Sequence, residues 1–371
     1  MHLRGLARWL AAIAVPLAVG GALAGPGPAA VAAATPAAAG VWSPADLSAA
    51  AGAPAAASAP SGYETDFARG PVPRVVYRTG AGHIEELSLQ VLGDGLWHAR
   101  DLSALAAGAP AATGVPSGAE IFLPGPGLFA RVVYRTGAGH IEELSTQDDA
   151  HWQPVDLTVA AGAPAAASAP SAFGTDLFGE NTVAHVAYRT AANHIEDLTS
   201  LDLVHWQATD LTVAAGAPAA AAAPGGYETN LDPGLVAQGR VARVVYRTAA
   251  GHIEELSTQD LDHWQPADLS AIAGGPLAAG TPDGYQSDLI VQGSIVRTAR
   301  VVFRDTAGHI EEIRQQTGGR WQPPVDLSTL AGGPAAASDP SGYETAVFGQ
   351  ATTLRVVYRT AAGHIEELSF S

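Results

Sequence analysis

The chain of 371 residues has no cysteine, no lysine and a single methionine, and only 6% of it is aromatic. Without thiols, neither a disulfide nor a thiolate metal site can hold the fold, so core packing and strand pairing must do so. Without lysine, all 19 basic residues are arginine, set against 36 acidic ones for a formal net charge of −17. That balance excludes nucleic acid as a partner, because phosphates need a basic surface, and it disfavours attraction to anionic lipid. Long apolar runs are equally scarce. One run, from Trp9 to Ala24, follows Arg4 and Arg8, contains Pro16 and is short for a spanning helix. With small-residue cleavage candidates at Ala22-Leu23-Ala24 and Ala30-Val31-Ala32, it reads as a secretory signal. Residues 1–34 are therefore assigned to a signal peptide and an Ala/Pro-rich leader. The expectation is a secreted, extracellular protein with no membrane insertion after cleavage.

What is abundant is repetition. The string GHIEEL or a close variant places a histidine at His83, His140, His194, His252, His309 and His364, at spacings of 57, 54, 58, 57 and 55 residues. RVVYRT or a relative precedes each histidine, and a tryptophan leading to Asp-Leu comes after all but the last. Each unit reads as four short strands: one around Gly-Tyr-Glu-Thr, then RVVYR, then HIEEL, then a strand running from Trp to Asp-Leu. β-Branched and aromatic residues in five-residue runs bounded by Gly and Pro are strand signals. The AGAP segments between units are too punctuated for a long helix and read as connections. Gly82, Gly139, Gly251, Gly308 and Gly363 precede the histidine, with Asn193 in the third unit, which marks a tight hairpin turn at positive φ.

Four-stranded units of about 56 residues predict an all-β, six-bladed β-propeller over residues 41–371. The chain starts on an unaccompanied strand at Trp42, Asp46 and Leu47, and it stops after HIEELSFS with no further tryptophan. The N-terminal strand should therefore complete the last blade and remove the open edges.

Arg74 and Glu86 lie twelve residues apart about a turn, so they should sit opposite or nearly opposite each other on adjacent strands. The pair recurs as Arg131/Glu143, Arg243/Glu255, Arg300/Glu312 and Arg355/Glu367, while the third unit has His185 and Asp197. Spacing alone allows a cross-strand ion pair or a polar clamp for ligand hydroxyls. The histidines sit singly in separate units, so neither a metal site nor a catalytic residue is expected, and no cofactor.

The run from Arg74 to Glu86 resembles the R-V-Y-x-x-x-x-x-G-x-I-x-E pattern of the fucose-specific six-bladed propeller lectins of fungi and bacteria. The resemblance covers all six repeats. It implies sugar sites between blades, where the Arg and Glu of one blade hold hydroxyls and aromatics of the next pack on the apolar face. Carried over, Arg74 and Glu86 use Trp152, Arg131 and Glu143 use Trp206, and Arg243 and Glu255 use Trp321. Across the closure, Arg300 and Glu312 use Trp42 together with Phe370, and Arg355 and Glu367 use Trp97. The usual second aromatic is replaced by Leu89, Thr146, Ser200, Thr258 and Gln315 elsewhere, so only Phe370 fills that place.

The reading is a multivalent carbohydrate-binding propeller whose partners are fucosylated or related glycans. The alternative is an extracellular propeller scaffold for protein contacts, in which Arg, Glu and Trp only hold blades together. An enzyme built on the non-repeated stretches Glu120 to Ala130 and Asn230 to Ala242 is the remaining reading. The discriminating observation is whether the Arg–Glu pairs face a groove open to solvent or lie sealed between blades.

Overall fold

Every outer strand runs into Asp-Leu, and the aspartate turns the chain into a helix. Asp46, Asp101, Asp156, Asp210, Asp268 and Asp326 each accept the backbone N–H three residues on at 2.8–2.9 Å, capping a one-turn helix such as Leu47–Ala51. The leucine is thus the first helical residue rather than the end of a strand. The connections expected to be irregular begin with this short helix.

The structure is a computed structural model that describes residues 40–67, 70–90, 93–176, 182–231, 240–346 and 352–371. The expected signal and leader, and most of the stretch from Asn230 to Ala242, lie outside these residues. Six four-stranded antiparallel sheets form the six blades of a β-propeller. In blade 1 the strands are Ser61–Thr65, Val72–Arg78, Ile84–Leu89 and Trp97–Asp101, in that order from the axis outward. The fourth strand starts at Trp in blade 1 and in the closing blade, but one residue later in the other four blades.

Blade 6 takes its outer strand, Trp42–Asp46, from the N-terminal end of the ring, paired antiparallel with Ile365–Phe370. The stretch from Glu120 to Ala130 belongs to a long hairpin of Ser117–Leu123 and Gly127–Arg135. The hairpin turns are as read from the Gly/Asn exchange: Gly82 has φ 83° and Asn193 φ 65°, and Thr79 N–H donates to the His83 carbonyl at 2.9 Å.

The core lies between blades, not within one central mass. Each apolar cluster joins two neighbours, as Tyr63, Val76 and Leu102 of blade 1 join Val132, Leu144 and Trp152 of blade 2. Around the axis, Pro60, Pro116, Pro170, Pro224, Pro282 and Pro340 line a narrow central cavity. On the innermost strands, the Ser61, Ser117, Ser171 and Ser341 hydroxyls each accept a backbone N–H from the neighbouring blade at 2.9–3.2 Å. This ties successive blades in a ring.

Candidate functional site between the blades

The second strand brings Arg74 directly opposite Tyr63 on one side and Ser88 on the other, so Glu86 sits diagonally, two residues along the third strand. That geometry assembles a polar network. Arg74 Nη1 donates to Glu86 Oε1 at 2.7 Å, Arg74 Nε to Thr65 Oγ1 at 2.6 Å, and the Tyr63 hydroxyl to Glu86 Oε2 at 2.6 Å. The same four-residue network recurs with Tyr227, Thr229, Arg243 and Glu255, with Tyr285, Ser287, Arg300 and Glu312, and with Tyr343, Thr345, Arg355 and Glu367. Burial, and after it the neighbouring glutamate, push the Tyr63, Tyr227, Tyr285 and Tyr343 hydroxyls well above their ordinary pKa, so these phenols remain hydrogen-bond donors.

Two blades depart. In blade 2, Ala119 and Ile121 stand where the tyrosine and threonine would be. Arg131 keeps only Glu143, to which Nε donates at 2.7 Å, and its buried Nη1 has no hydrogen-bond partner among the described residues. In blade 3, His185 lies between Asp197 at 2.8 Å and Thr175 Oγ1 at 2.9 Å and stacks on Phe173 with centroids 4.5 Å apart.

The tryptophans stand beside the preceding blade. Trp152 joins the cluster around Tyr63, and Trp206 lies under the Arg131 guanidinium at 5.3 Å. Trp321 joins the cluster around Tyr227, while Trp42 and Trp97 pack on the clusters around Tyr285 and Tyr343. Phe370 lies opposite Trp42 in the closing ladder, with ring centroids 5.6 Å apart. Trp152, Trp206, Trp264 and Trp321 are buried, whereas Trp42 and Trp97 are half-buried.

The Arg–Glu pairs are largely sealed, but unequally so. The arginine side chain is 2% exposed at Arg74 and 0% at Arg131, against 11% at Arg243, 7% at Arg300 and 12% at Arg355. The junction of blades 1 and 2 carries further charges. Arg100 adds a second guanidinium to Glu86 at 2.5 Å, and Asp149 from blade 2 reaches Arg74 at 3.0 Å and Arg100 at 2.6 Å.

The repeated histidines occupy the opposite, hairpin end of the blades. Five of them place Nδ1 2.6–2.7 Å from the helix-capping aspartate, as His83 does with Asp101. In blade 5, Asp305 replaces the usual threonine, and His309 stands 3.6 Å from both Asp305 and Asp326. Asp305, His309 and Glu311 form the one group of three potential metal ligands among the described residues. Residue counting missed it because Asp305 breaks the repeat.

Sequence reasoning also missed the tyrosine and threonine members of the network, although their alternation in Gly-Tyr-x-Thr places them on one face of the first strand.

No family model matches the chain, and no curated protein matches it in sequence. Solved structures do match in fold. AofleA from Arthrobotrys oligospora is 15% identical with a TM-score of 0.60, over 90% of this chain and 87% of that one. A fungal lectin, Aleuria aurantia lectin, described as a six-bladed β-propeller with a fucose recognition mode, is 15% identical with a TM-score of 0.57, over 84% and 94%. The NanB sialidase of Streptococcus pneumoniae also matches, at 10% identity and a TM-score of 0.53, over 84% of this chain and 67% of that one. At these identities the likeness establishes a shared propeller fold.

Proposed function

We propose that the chain is a secreted, multivalent, lectin-like propeller that takes carbohydrate hydroxyls in the crevices between its blades. The observation that carries this reading is a repeated juxtaposition: a fixed guanidinium–carboxylate pair of one blade beside a tryptophan of the next. A guanidinium fork and a carboxylate match a pair of adjacent hydroxyls, and an indole covers the apolar C–H face of a sugar ring. Several weak sites on one rigid ring reach useful avidity on a multivalent glycan without individual tightness. Because solved propellers of this fold include a lectin described by its fucose recognition, fucosylated glycans are the first ligands to test. We read the chain as a binding protein and not an enzyme, since near-identical side chains recur in five blades whereas a catalytic centre is differentiated.

A second reading, a propeller scaffold for extracellular proteins, is favoured by the sealing of all five Arg–Glu pairs between blades, with arginine side chains only 0–12% exposed. A glycan array probed with the full chain lacking residues 1–34 separates the two. Dose-dependent binding to a defined sugar class supports the lectin. No binding to any glycan by a folded protein leaves the scaffold.

A further inference from the structure

The six crevices are not equivalent, and what distinguishes them is the loop joining the third and fourth strands of the next blade. In blades 2, 3 and 4 this loop has one six-residue design. A hydroxyl from Thr146, Ser200 or Thr258 accepts the N–H of the residue three positions on, at 2.9–3.1 Å. An aspartate, Asp148, Asp202 or Asp260, accepts two backbone N–H groups and pairs with His151, His205 or His263 at 2.6–2.8 Å. The clip forces its tip residue into the left-handed region, with φ 66° at Asp149, 61° at Leu203 and 66° at Leu261.

Each tip lies at the junction with the preceding blade. Asp149 lays its carboxylate on Arg74 and Arg100 and occupies their outward hydrogen-bonding capacity. Leu203 packs on the cluster holding Trp206, and Leu261 on the cluster holding Phe173 and Trp264. Among the described residues, the other three junctions lack the clip. Blade 1 carries Gly93, Asp94 and Gly95 in this loop, and blade 5 a short loop with Gly318 and Gly319. In blade 6 the third and fourth strands come from opposite ends of the ring, so no loop joins them. The exposures divide in the same way, 0–2% for Arg74, Arg131 and His185 against 7–12% for Arg243, Arg300 and Arg355.

From this we infer that the crevices between blades 1 and 2, 2 and 3, and 3 and 4 are plugged from within, and that ligand access is confined to the three crevices flanking blades 5 and 6. The binding face is then one half of the ring, which suits a clustered glycan rather than ligands arriving from all sides. The inference takes its ligand from the carbohydrate reading above, but the plugging itself does not depend on it.

Two measurements on the full propeller keep the two apart. The first is modification of arginine by phenylglyoxal, mapped by mass spectrometry under native conditions. Arg243, Arg300 and Arg355 should react at least several-fold faster than Arg74 and Arg131; equal rates overturn the inference. The second is calorimetric titration with α-methyl-L-fucoside, expected to saturate at three per chain. In Asp149→Gly the glycine keeps the left-handed backbone and removes the plug, and the count should rise to four. Five or six sites in the unaltered protein, or no added site in Asp149→Gly, overturn the inference. A split in arginine reactivity with no fucoside uptake overturns fucose recognition and leaves the plugging in place.

Discussion

The Tyr63 ring of blade 1 lies in the space that a side chain on Gly118 of blade 2 would need: a Cβ there would stand 2.3 Å from Tyr63 Cδ1. The same aromatic-on-glycine contact joins Phe173 to Gly226, Tyr227 to Gly284, Tyr285 to Gly342 and Tyr343 to Gly62. Only one junction lacks it. Blade 2 has Ala119 in place of the aromatic, and there blade 3 has Ala172 in place of the glycine. The two exceptions belong to the same contact, so the glycine is kept for close approach to the ring and not for backbone freedom.

Gly118→Ala should therefore destabilise the ring by about 1–3 kcal/mol through overpacking. Tyr63→Ala/Gly118→Ala should be no less stable than Tyr63→Ala alone, because the clash goes with the ring. Denaturant unfolding of the three variants gives the coupling energy. Additive losses would show that the two residues do not meet.

How much of this was legible in the sequence varied with the range of the contact. The hairpin turn needed only local backbone demands, and Asn193 standing in for Gly was enough to read them. The closure could be read from one unaccompanied strand at Trp42. The pairing of Arg74 with Glu86 was visible in spacing, but not that Tyr63, Thr65 and Asp149 would occupy their remaining hydrogen-bond sites. Those partners come from another strand or another blade, and a one-dimensional pattern does not say which faces meet. The clip around Asp148 and His151 was likewise present as a string. The crevice it covers belongs to the preceding blade and appears only once the ring is assembled.

Removing residues 41–46 should destabilise the whole ring and not just one blade. The strand Trp42–Asp46 covers the edge of Ile365–Phe370, and Asp46 pairs with His364 at 2.6 Å across the closure. Its loss leaves an unpaired edge and breaks the junction on which circular cooperativity depends. Scanning calorimetry should show one transition at clearly lower temperature. An unchanged transition would mean that the ring is held without this strand.

Stability should fall as pH rises from mildly acidic to neutral. Glu85, Glu142 and Glu196 are raised from the ordinary 4.5 to about 7, first by burial and then by Asp101, Asp156 and Asp210 beside them. Glu254, Glu311 and Glu366 move in the same direction for the same causes. A carboxyl that holds its proton more tightly when folded stabilises below its unfolded pKa, and this is lost as pH climbs through its folded one. The window therefore runs from about 4.5 to about 7. The clip aspartates Asp148, Asp202 and Asp260 are shifted down from 3.8 by hydrogen bonds, so their contribution is lost only below that window. Melting temperatures at pH 5 should exceed those at pH 8; the reverse order contradicts the assignment.

Phe370→Ala should affect one crevice only. Phe370 and Trp42 together flank the junction of blades 5 and 6, where Arg300 and Glu312 lie. Aromatic contacts of this kind contribute roughly 0.5–1.5 kcal/mol beyond buried area. That corresponds to a loss of about two- to tenfold in affinity at the tightest class of sites, with the others unchanged. Titration with a monovalent sugar resolves the classes. If Phe370→Ala leaves every constant unaltered while Arg300→Ala removes a site, the polar half of the site acts without the aromatic half.

Arg131 and Glu143 test whether the repeated ion pair is retained for stability. At this junction Ala119 and Ile121 have removed the tyrosine and threonine, Arg131 Nη1 has no hydrogen-bond partner among the described residues, and the Trp206 ring lies against the guanidinium. Arg131→Met alone should cost about 3–5 kcal/mol, because Glu143 is left buried and unpaired. Arg131→Met/Glu143→Leu leaves no charge behind, and such apolar replacements range from neutral to stabilising by roughly 1–4 kcal/mol. The equivalent pair in blade 1 should respond differently. Arg74→Met/Glu86→Leu would strand Tyr63, Thr65, Arg100 and Asp149, all of which spend hydrogen bonds or charge on Arg74 or Glu86. Denaturant unfolding of both double variants should rank blade 2 well above blade 1. Equal losses would mean that each pair stabilises its own junction directly, whatever surrounds it.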